Sequence, residues 1–367
     1  MLELNSNKIG ENMQVDFPKF GKVGKLFFDN VIYPKLGARR DEVIVGPGYG
    51  CDNAVVKLND KQVLILTSDP LSIIPALGFE DSAWLTVHLL ASDLATSGVP
   101  PMYAVLDFNL PPQITKEEFE IYWDAFHREC EKLGIAIVGG HTGKFFGIDY
   151  TIVGGGTFIA VSDIDKYVSS NMAKPGDRIV ITKGAGIATT GILARVFPET
   201  IEKNFGSDFL KKAQNYFWKF SVVDDALTAV KIGVRDDGVS AMHDATECGV
   251  LGGIYEMAVA SGCGVNVFKN KIPVSEITRK ICELFEIDPY ISLSEGTLII
   301  AVKESKVSEL IKTLSQAGIE AVEVGYFAEP SYGMWIENED GTKEALTYPE
   351  ADPYWNAYIN AINKGWR

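Results

Sequence analysis

The chain has 367 residues, 46% of them hydrophobic, 11% aromatic and 23% charged, a composition that excludes wholesale disorder and a fibrous repeat. At roughly 150 residues per domain, this length predicts two domains. Thirty-four Lys and Arg against 49 Asp and Glu give a formal charge of -15. That sign repels phosphate backbones and anionic lipid, which argues against a nucleic-acid partner or a membrane-surface role.

Five cysteines (51, 130, 248, 263 and 282) form no CxxC pair, so reduced thiols in a cytoplasm are expected rather than a disulfide framework. The opening MLELNSNKIGENMQVDF has no apolar core of a secretory signal. Apolar stretches such as Tyr150–Val161 are too short and glycine-rich to span a membrane.

In chain order, Lys25–Leu36 reads as a helix that Pro34 should end early. Gln62–Thr67 is a buried strand, Ala83–Gly98 a helix, and Met102–Leu110 a strand. Thr115–Leu133 opens with the capping-box pattern Thr115-x-x-Glu118 and runs amphipathically to Gly134. Ala136–Val138 and Tyr150–Val161 are strands. The polar stretch Asp163–Pro175, ending Lys-Pro-Gly-Asp, reads as a boundary. It divides the chain into 1–165 and 170–345, with an aromatic tail at 346–367. The second part repeats the mixture: strand Arg178–Thr182, a glycine-rich loop Gly184–Gly191, helices through about Leu227, then helices Gly252–Ser261 and Lys306–Ala317 with strands between. The fold class is therefore α/β (α+β) with two domains.

Five clusters could carry chemistry. In Gly46–Ala54, glycines that include Gly48 and Gly50 would let backbone amides approach an anion, with Asp52 and Asn53 following. Asp69 ends the apolar QVLILT run; taken singly, Asp52 and Asp69 also fit ordinary turns. Asp93 interrupts an apolar helix, where a charge costs several kcal/mol unless it is paired, metal-bound or on the solvent side. His141 follows the AIVGG strand in a loop, beside Thr142. His243-Asp244-Ala-Thr-Glu247-Cys-Gly249 places two acids at a helix start, where Asp244 could equally be an N-cap with Glu247 at N3. His88 and His127 read as core-edge or surface residues. Gly21-Lys22-Val-Gly-Lys25 offers amides and two ammonium groups to a phosphate, though solvated lysines are the plainer reading. No GxxxxGK[ST] is present, and Gly184–Gly191 lacks the acid that a dinucleotide fold needs.

The order of these clusters resembles the PurM-like superfamily, which includes aminoimidazole ribonucleotide synthetase, thiamine-monophosphate kinase, selenophosphate synthetase and the hydrogenase maturation protein HypE. Cys51-Asp-Asn-Ala-Val55 is similar to its Asp-Asp-Ala-Ala, Thr67-Ser-Asp69 to Thr-Thr-Asp, Ser92-Asp93 to Asn-Asp, and Gly140-His-Thr142 to Gly-Asp-Thr or Gly-His-Ser/Thr. His243-Asp-Ala-Thr246 resembles Arg-Asp-Ala-Thr, and Ile272-Pro-Val274 and Ser294-Glu-Gly296 resemble the Leu-Pro-Val and Asn-Glu-Gly of HypE. The resemblance implies an N-terminal domain that dimerises through its sheet and binds ATP with Mg²⁺ or Mn²⁺, and a C-terminal α/β domain beside it. It implies metal ligation by Asp52, Asp69 and Asp93, phosphate contact by the Lys22 and Lys25 loop, and Asp244 and Glu295 facing a small-molecule or nucleotide substrate, with His141 beside them.

The departures are specific. Glu247-Cys248 stands where HypE has Arg-Gly, and the terminus Lys-Gly-Trp366-Arg367 lacks HypE's substrate-carrying Cys. Two enzyme readings follow: an ATP- and metal-dependent phosphotransferase or synthetase, and a metal-dependent phosphohydrolase. In the second, His141, His243 and Glu247 would enrich the ligand set toward Mn²⁺. A non-catalytic nucleotide- or metal-binding assembly protein is the third.

Overall fold

A computed structural model describes residues 21–349 and 351–367; the amino-terminal run read above for a signal lies outside them. The first sheet contains β1 (Val43–Val45), β2 (Ala54–Lys57), β3 (Gln62–Ser72), β4 (Tyr103–Leu110), β5 (Ala136–Lys144) and β6 (Ile152–Asp163), in the order β1-β2-β3-β6-β4-β5. Its neighbours are antiparallel except β4 and β5. Strand β4 alternates: Ala104, Leu106 and Phe108 are buried, and Tyr103 and Val105 are exposed. The inward set packs on the helices Phe79–Ala95 and Lys116–Lys132, where Phe108 meets Tyr122 edge-on at 5.8 Å. The outward face has no covering layer among the described residues.

The second sheet contains β7 (Arg178–Thr182), β8 (Val239–Ala245), β9 (Gly264–Phe268), β10 (Thr297–Val302), β11 (Ala321–Ala328), β12 (Met334–Glu337) and β13 (Lys343–Ala345), in the order β13-β12-β9-β11-β7-β10-β8. Every residue of β8 and β10 is buried, as expected of continuous apolar strands covered on both faces. The two halves share a core: Val180, Met242, Leu298 and Ile300 of the second sheet join Leu90, Leu94 and Leu106 of the first half. The helix Phe79–Ala95 is the wedge between them, with 11 of its 17 residues buried. Ser92 Oγ accepts a hydrogen bond from Val222 N at 3.0 Å across the seam.

Several expected boundaries move. Strand β3 continues through Asp69 and Pro70 to Ser72, because pairing with β6 extends to Ser72↔Ile152. Strand β5 continues through His141, which pairs with Asp107. Gly140 lies at φ +151°, where a Cβ would be 2.0 Å from Leu106 O; its glycine serves sheet packing. The segment His243–Ala245 closes strand β8, and the next helix starts at Gly249. Asp244 is thus not an N-cap. The supposed loop Gly184–Gly191 is already helical from Ile187, and Lys25–Leu36 is helical in three short pieces ending at Lys35.

The capping box is present in full: Thr115 Oγ1 accepts from Glu118 N at 3.2 Å, and Glu118 Oε2 accepts from Thr115 N at 2.8 Å. Thr115→Ala should cost about 1 kcal/mol in a urea titration.

Candidate functional site

The site forms where the ends of strands from both halves meet the helix Gly249–Ser261. Asp52 enters from the glycine loop before β2, and its carboxylate is nearly buried. Its Oδ1 lies 2.6 Å from His243 Nδ1, while its Oδ2 accepts from Asp244 N at 3.2 Å and Ser170 Oγ at 3.3 Å. The other ring nitrogen of His243, Nε2, lies 3.0 Å from Glu256 Oε2. Gly50 (φ +80°) makes this approach possible, since a Cβ there would sit 2.6 Å from Glu256 O. Thr67 Oγ1 donates to Asp52 O at 2.7 Å and stands 3.4 Å from Asp93 Oδ2.

The electrostatics follow from this crowding. Burial works against a charge on His243, but Asp52 and Glu256 outweigh it and push the imidazole up to about 10. It is an imidazolium at neutral pH. Burial raises the Asp93 carboxyl well above the usual range, with Asp69 and Asp52 adding to it and Lys22 and His243 opposing. Asp244 is raised by burial and then by Asp93, Asp52 and Glu295; both its oxygens are buried without a partner. Asp69 is raised by burial, against the pull of Lys22. Burial lifts Glu295 to about 8.

Lys22 brings the counter-charge. Its Nζ donates to Thr246 Oγ1 at 2.7 Å, and its backbone N donates to Glu247 Oε2 at 2.9 Å. Burial opposes its charge, but Glu256, Asp93, Asp52 and Glu247 hold the ammonium above the ordinary lysine range. The residue retains exposed area, so solvent screens these attractions.

The structure therefore brings together Asp52, Asp69, Asp93, Asp244, Glu247, Glu295 and Lys22. Several expected site residues have other partners or positions. His243 is occupied by carboxylates on both its nitrogens, Asp52 at 2.6 Å and Glu256 at 3.0 Å, which favour its protonated form. The imidazole of His141 is exposed on β5 against Phe145. The register Asp69↔Gly156↔Leu106↔Gly140 puts it about 14 Å from Asp69, three strand spacings away. Thr142 is exposed beside it. Lys25 pairs with Asp29 on its own helix. Glu247 is engaged by the Lys22 amide. Gly48 lies by Cys51 Sγ, and Asn53 Nδ2 donates to Thr96 Oγ1 at 3.0 Å, so both support the loop from within. The expected His-rich ligand set does not assemble within one chain.

Sequence reasoning missed Glu256, Tyr348, Ser170 and Asp352. Glu256 carried the same signal as Asp93, being the sole charged residue of the apolar helix Gly249–Ser261.

The AIR synthase related protein N-terminal domain model matches residues 50–160, and the corresponding C-terminal domain model matches residues 174–334. The chain belongs to this AIR synthase-related, PurM-like superfamily. Among its relatives, a Methanocaldococcus jannaschii protein named for hydrogenase expression and formation is 24% identical over 340 residues, covering 91% of this chain and 96% of that one. The selenide, water dikinase of Carboxydothermus hydrogenoformans is 26% identical over 317 residues, covering 77% and 85%. The fold matches hydrogenase maturation protein HypE in complex with ATP (TM-score 0.66, 22% identity, 90% of this chain and 93% of that). It also matches ThiL complexed with AMPPCP and TMP (TM-score 0.63, 20% identity, 82% and 90%).

Carboxyls held above their unfolded values oppose folding at neutral pH, because the unfolded chain ionises more readily; that opposition fades as pH falls from their raised values down to the ordinary carboxyl range, where both states are protonated. Asp93→Asn and Asp69→Asn should each leave the metal-free melting temperature unchanged or raise it by about 1–3 °C. Both should lose most of any further rise produced by Mg²⁺. Differential scanning fluorimetry in chelator and in Mg²⁺ checks both, and a large fall in chelator would make the acids structural.

Proposed function

We propose that the protein is an ATP- and divalent-metal-dependent phosphotransferase or synthetase acting on a small molecule. The observation that carries this reading is the convergence of Asp69, Asp93 and Asp244 beside Lys22, with both Asp244 oxygens buried and unpartnered. Such a set holds more negative charge than its neighbours neutralise, and a divalent cation fits it.

The spacing speaks for the kind of metal. Among the described residues, no three His, Cys, Asp or Glu side chains stand close enough to hold one ion by themselves. A Zn²⁺-type hydrolase centre needs such a cage. Mg²⁺ does not: it keeps waters and is completed by one or two carboxylates and the phosphates it accompanies. Asp52, Asp69, Asp93 and Asp244 are the residues that would hold it, and it would neutralise phosphate charge during transfer. The relatives support the same choice, one being named a dikinase and fold relatives binding ATP or AMPPCP. The phosphohydrolase reading finds no support among them.

In this reading Lys22 approaches the nucleotide's phosphates, taking over the role expected of both lysines. Glu295, which burial raises to about 8, holds a proton more readily than an ordinary glutamate and in that form could donate to a substrate oxygen. The acid at 247, which binds the Lys22 amide, positions that lysine rather than a metal. The five free thiols and the absence, among the described residues, of any helix long and apolar enough to cross a membrane support a cytoplasmic setting.

ATP should be consumed with Mg²⁺ and stimulated by an acceptor, and His141→Ala should leave the Mg²⁺/Mn²⁺ preference within about twofold. A steady-state ADP assay tests this; phosphate-ester hydrolysis with Mn²⁺ and no ATP would reverse the assignment.

The uncovered face of the first sheet supports a homodimer. Val105, Tyr103 and Val138 are exposed there, Val138 by 58%, with Phe146 at 98% in the next turn; an apolar patch of this kind marks an association surface. Light scattering should give about twice the 40.2 kDa chain mass, and Val105→Glu with Val138→Glu should return it to one chain.

A further inference from the structure

The tail at 346–367 reaches the site at two points. Leu346 is buried in the second core and its N donates to Met334 O at 3.0 Å, which starts the tail from a fixed place. Tyr348 then projects between Tyr49 and Tyr255, with ring centroids 5.6 and 5.7 Å away. Its hydroxyl donates to Glu256 Oε1 at 3.1 Å. The other oxygen of Glu256 faces His243 Nε2 at 3.0 Å, and the opposite ring nitrogen meets Asp52 Oδ1 at 2.6 Å. Four residues from three parts of the chain thus form one buried line ending on Asp52. Four residues after Tyr348, Asp352 Oδ2 accepts from Cys248 N at 2.7 Å, and its Oδ1 caps the helix Pro353–Asn363 through Tyr354 N at 2.8 Å. The tail is therefore tied to the turn that holds Thr246 and Glu247.

We propose that Glu256 and Tyr348 are positioning residues that act through His243 to hold the Asp52 carboxylate in place, making Tyr348 of the tail a working part of the site. Each member has a separate task. The Tyr348 hydroxyl fixes the Glu256 rotamer. Glu256 fixes the imidazole ring and supplies its second counter-charge. The ring restrains Asp52 Oδ1, leaving Oδ2 to the Asp244 amide and Ser170. A carboxylate–imidazole–carboxylate line of this kind orients the end group that meets ligand, as outer partners do around metal sites. Burial of Glu256 opposes its charge, but His243, Lys22 and Tyr348 together hold its carboxyl below the usual range.

This inference rests on the proposed Mg²⁺·ATP site for its functional readout, so the test includes a second readout that does not. Calorimetry with Mg²⁺·AMPPCP should give a Kd raised roughly 10- to 100-fold by Glu256→Gln and about 3- to 10-fold by Tyr348→Phe, which removes one hydroxyl and no charge. In an Asp52→Asn background, adding Glu256→Gln should change Kd by no more than about twofold, since the line then has nothing to hold. Crystal structures of ligand-free Glu256→Gln and Tyr348→Phe should show the Asp52 side chain turned away from His243. Asp52 unmoved in both variants would overturn the proposal, as would losses that add fully to those of Asp52→Asn. Wild-type protein that fails to bind Mg²⁺·AMPPCP, together with a displaced Asp52 in Glu256→Gln, would sustain the positioning line and overturn the nucleotide reading alone.

Discussion

One imidazolium shared between two carboxylates holds the site together. Asp52 belongs to the first half of the chain, His243 to the last strand of the second sheet, and Glu256 to the helix behind it. Taking any of these ions from water costs several kcal/mol, and only mutual pairing makes the burial tolerable. Removing one member would leave an uncompensated charge at about 3–5 kcal/mol. The seam between the halves gathers around this triad: Ser170 and the Asp244 amide bond Asp52, and Lys22 bridges to Thr246 and Glu247. The shared apolar core then lies directly beneath, with Met242 of β8 packed in the same cluster as Leu94. The halves are joined by charge at the rim and by hydrocarbon below it.

The same arrangement explains why the acids differ although they share a cluster. Asp52 is paired on both oxygens. Asp93 and Asp244 are not, and burial leaves them reluctant to ionise. A pocket that combines satisfied and unsatisfied carboxyls fixes one acid, Asp52, in place and leaves Asp93 and Asp244 short of partners. The satisfied acid keeps its geometry when nothing is bound, and the unsatisfied acids provide the driving force for a cation.

Much of this was readable in the sequence. Asp93 announced itself as a charge in an apolar helix, and the wedge position of that helix between two halves shows why its surroundings are apolar on nearly every side. Asp69 reads as an acid ending an apolar strand, Asp52 as one following a glycine loop, and Asp244 as one at a helix start, which the structure moves to the end of β8. What could not be read was pairing. His243 and Asp52 are 191 residues apart, and nothing in local spacing says that one will neutralise the other. The misreadings have a common physical source too. His141 reads as a loop residue after AIVGG and Asp69 as the end of the QVLILT run, yet β4 pairs with β5 past His141, and β6 pairs along the whole of β3 and supplies the hydrogen bonds that let that strand continue through Pro70. Partner strands overrode local turn chemistry. Glu256 was missed through uneven use of one argument, since the rule applied to Asp93 applied equally to it.

The chain's overall charge bears on how a nucleotide could approach. At -15, with four aspartates in the site, free ATP would be repelled at long range and again at close range. Lys22 alone cannot reverse that, since its ammonium is already surrounded by carboxylates and screened by solvent. In the proposed function the nucleotide must therefore arrive with its metal, whose charge offsets part of the phosphate charge in solution and meets the aspartates attractively. This order of events also suits the spacing of the acids. They are too far apart to capture a bare ion firmly, yet suitably placed to share one already held by phosphate. In the proposed function, a site built this way would favour the metal–nucleotide complex over either component alone.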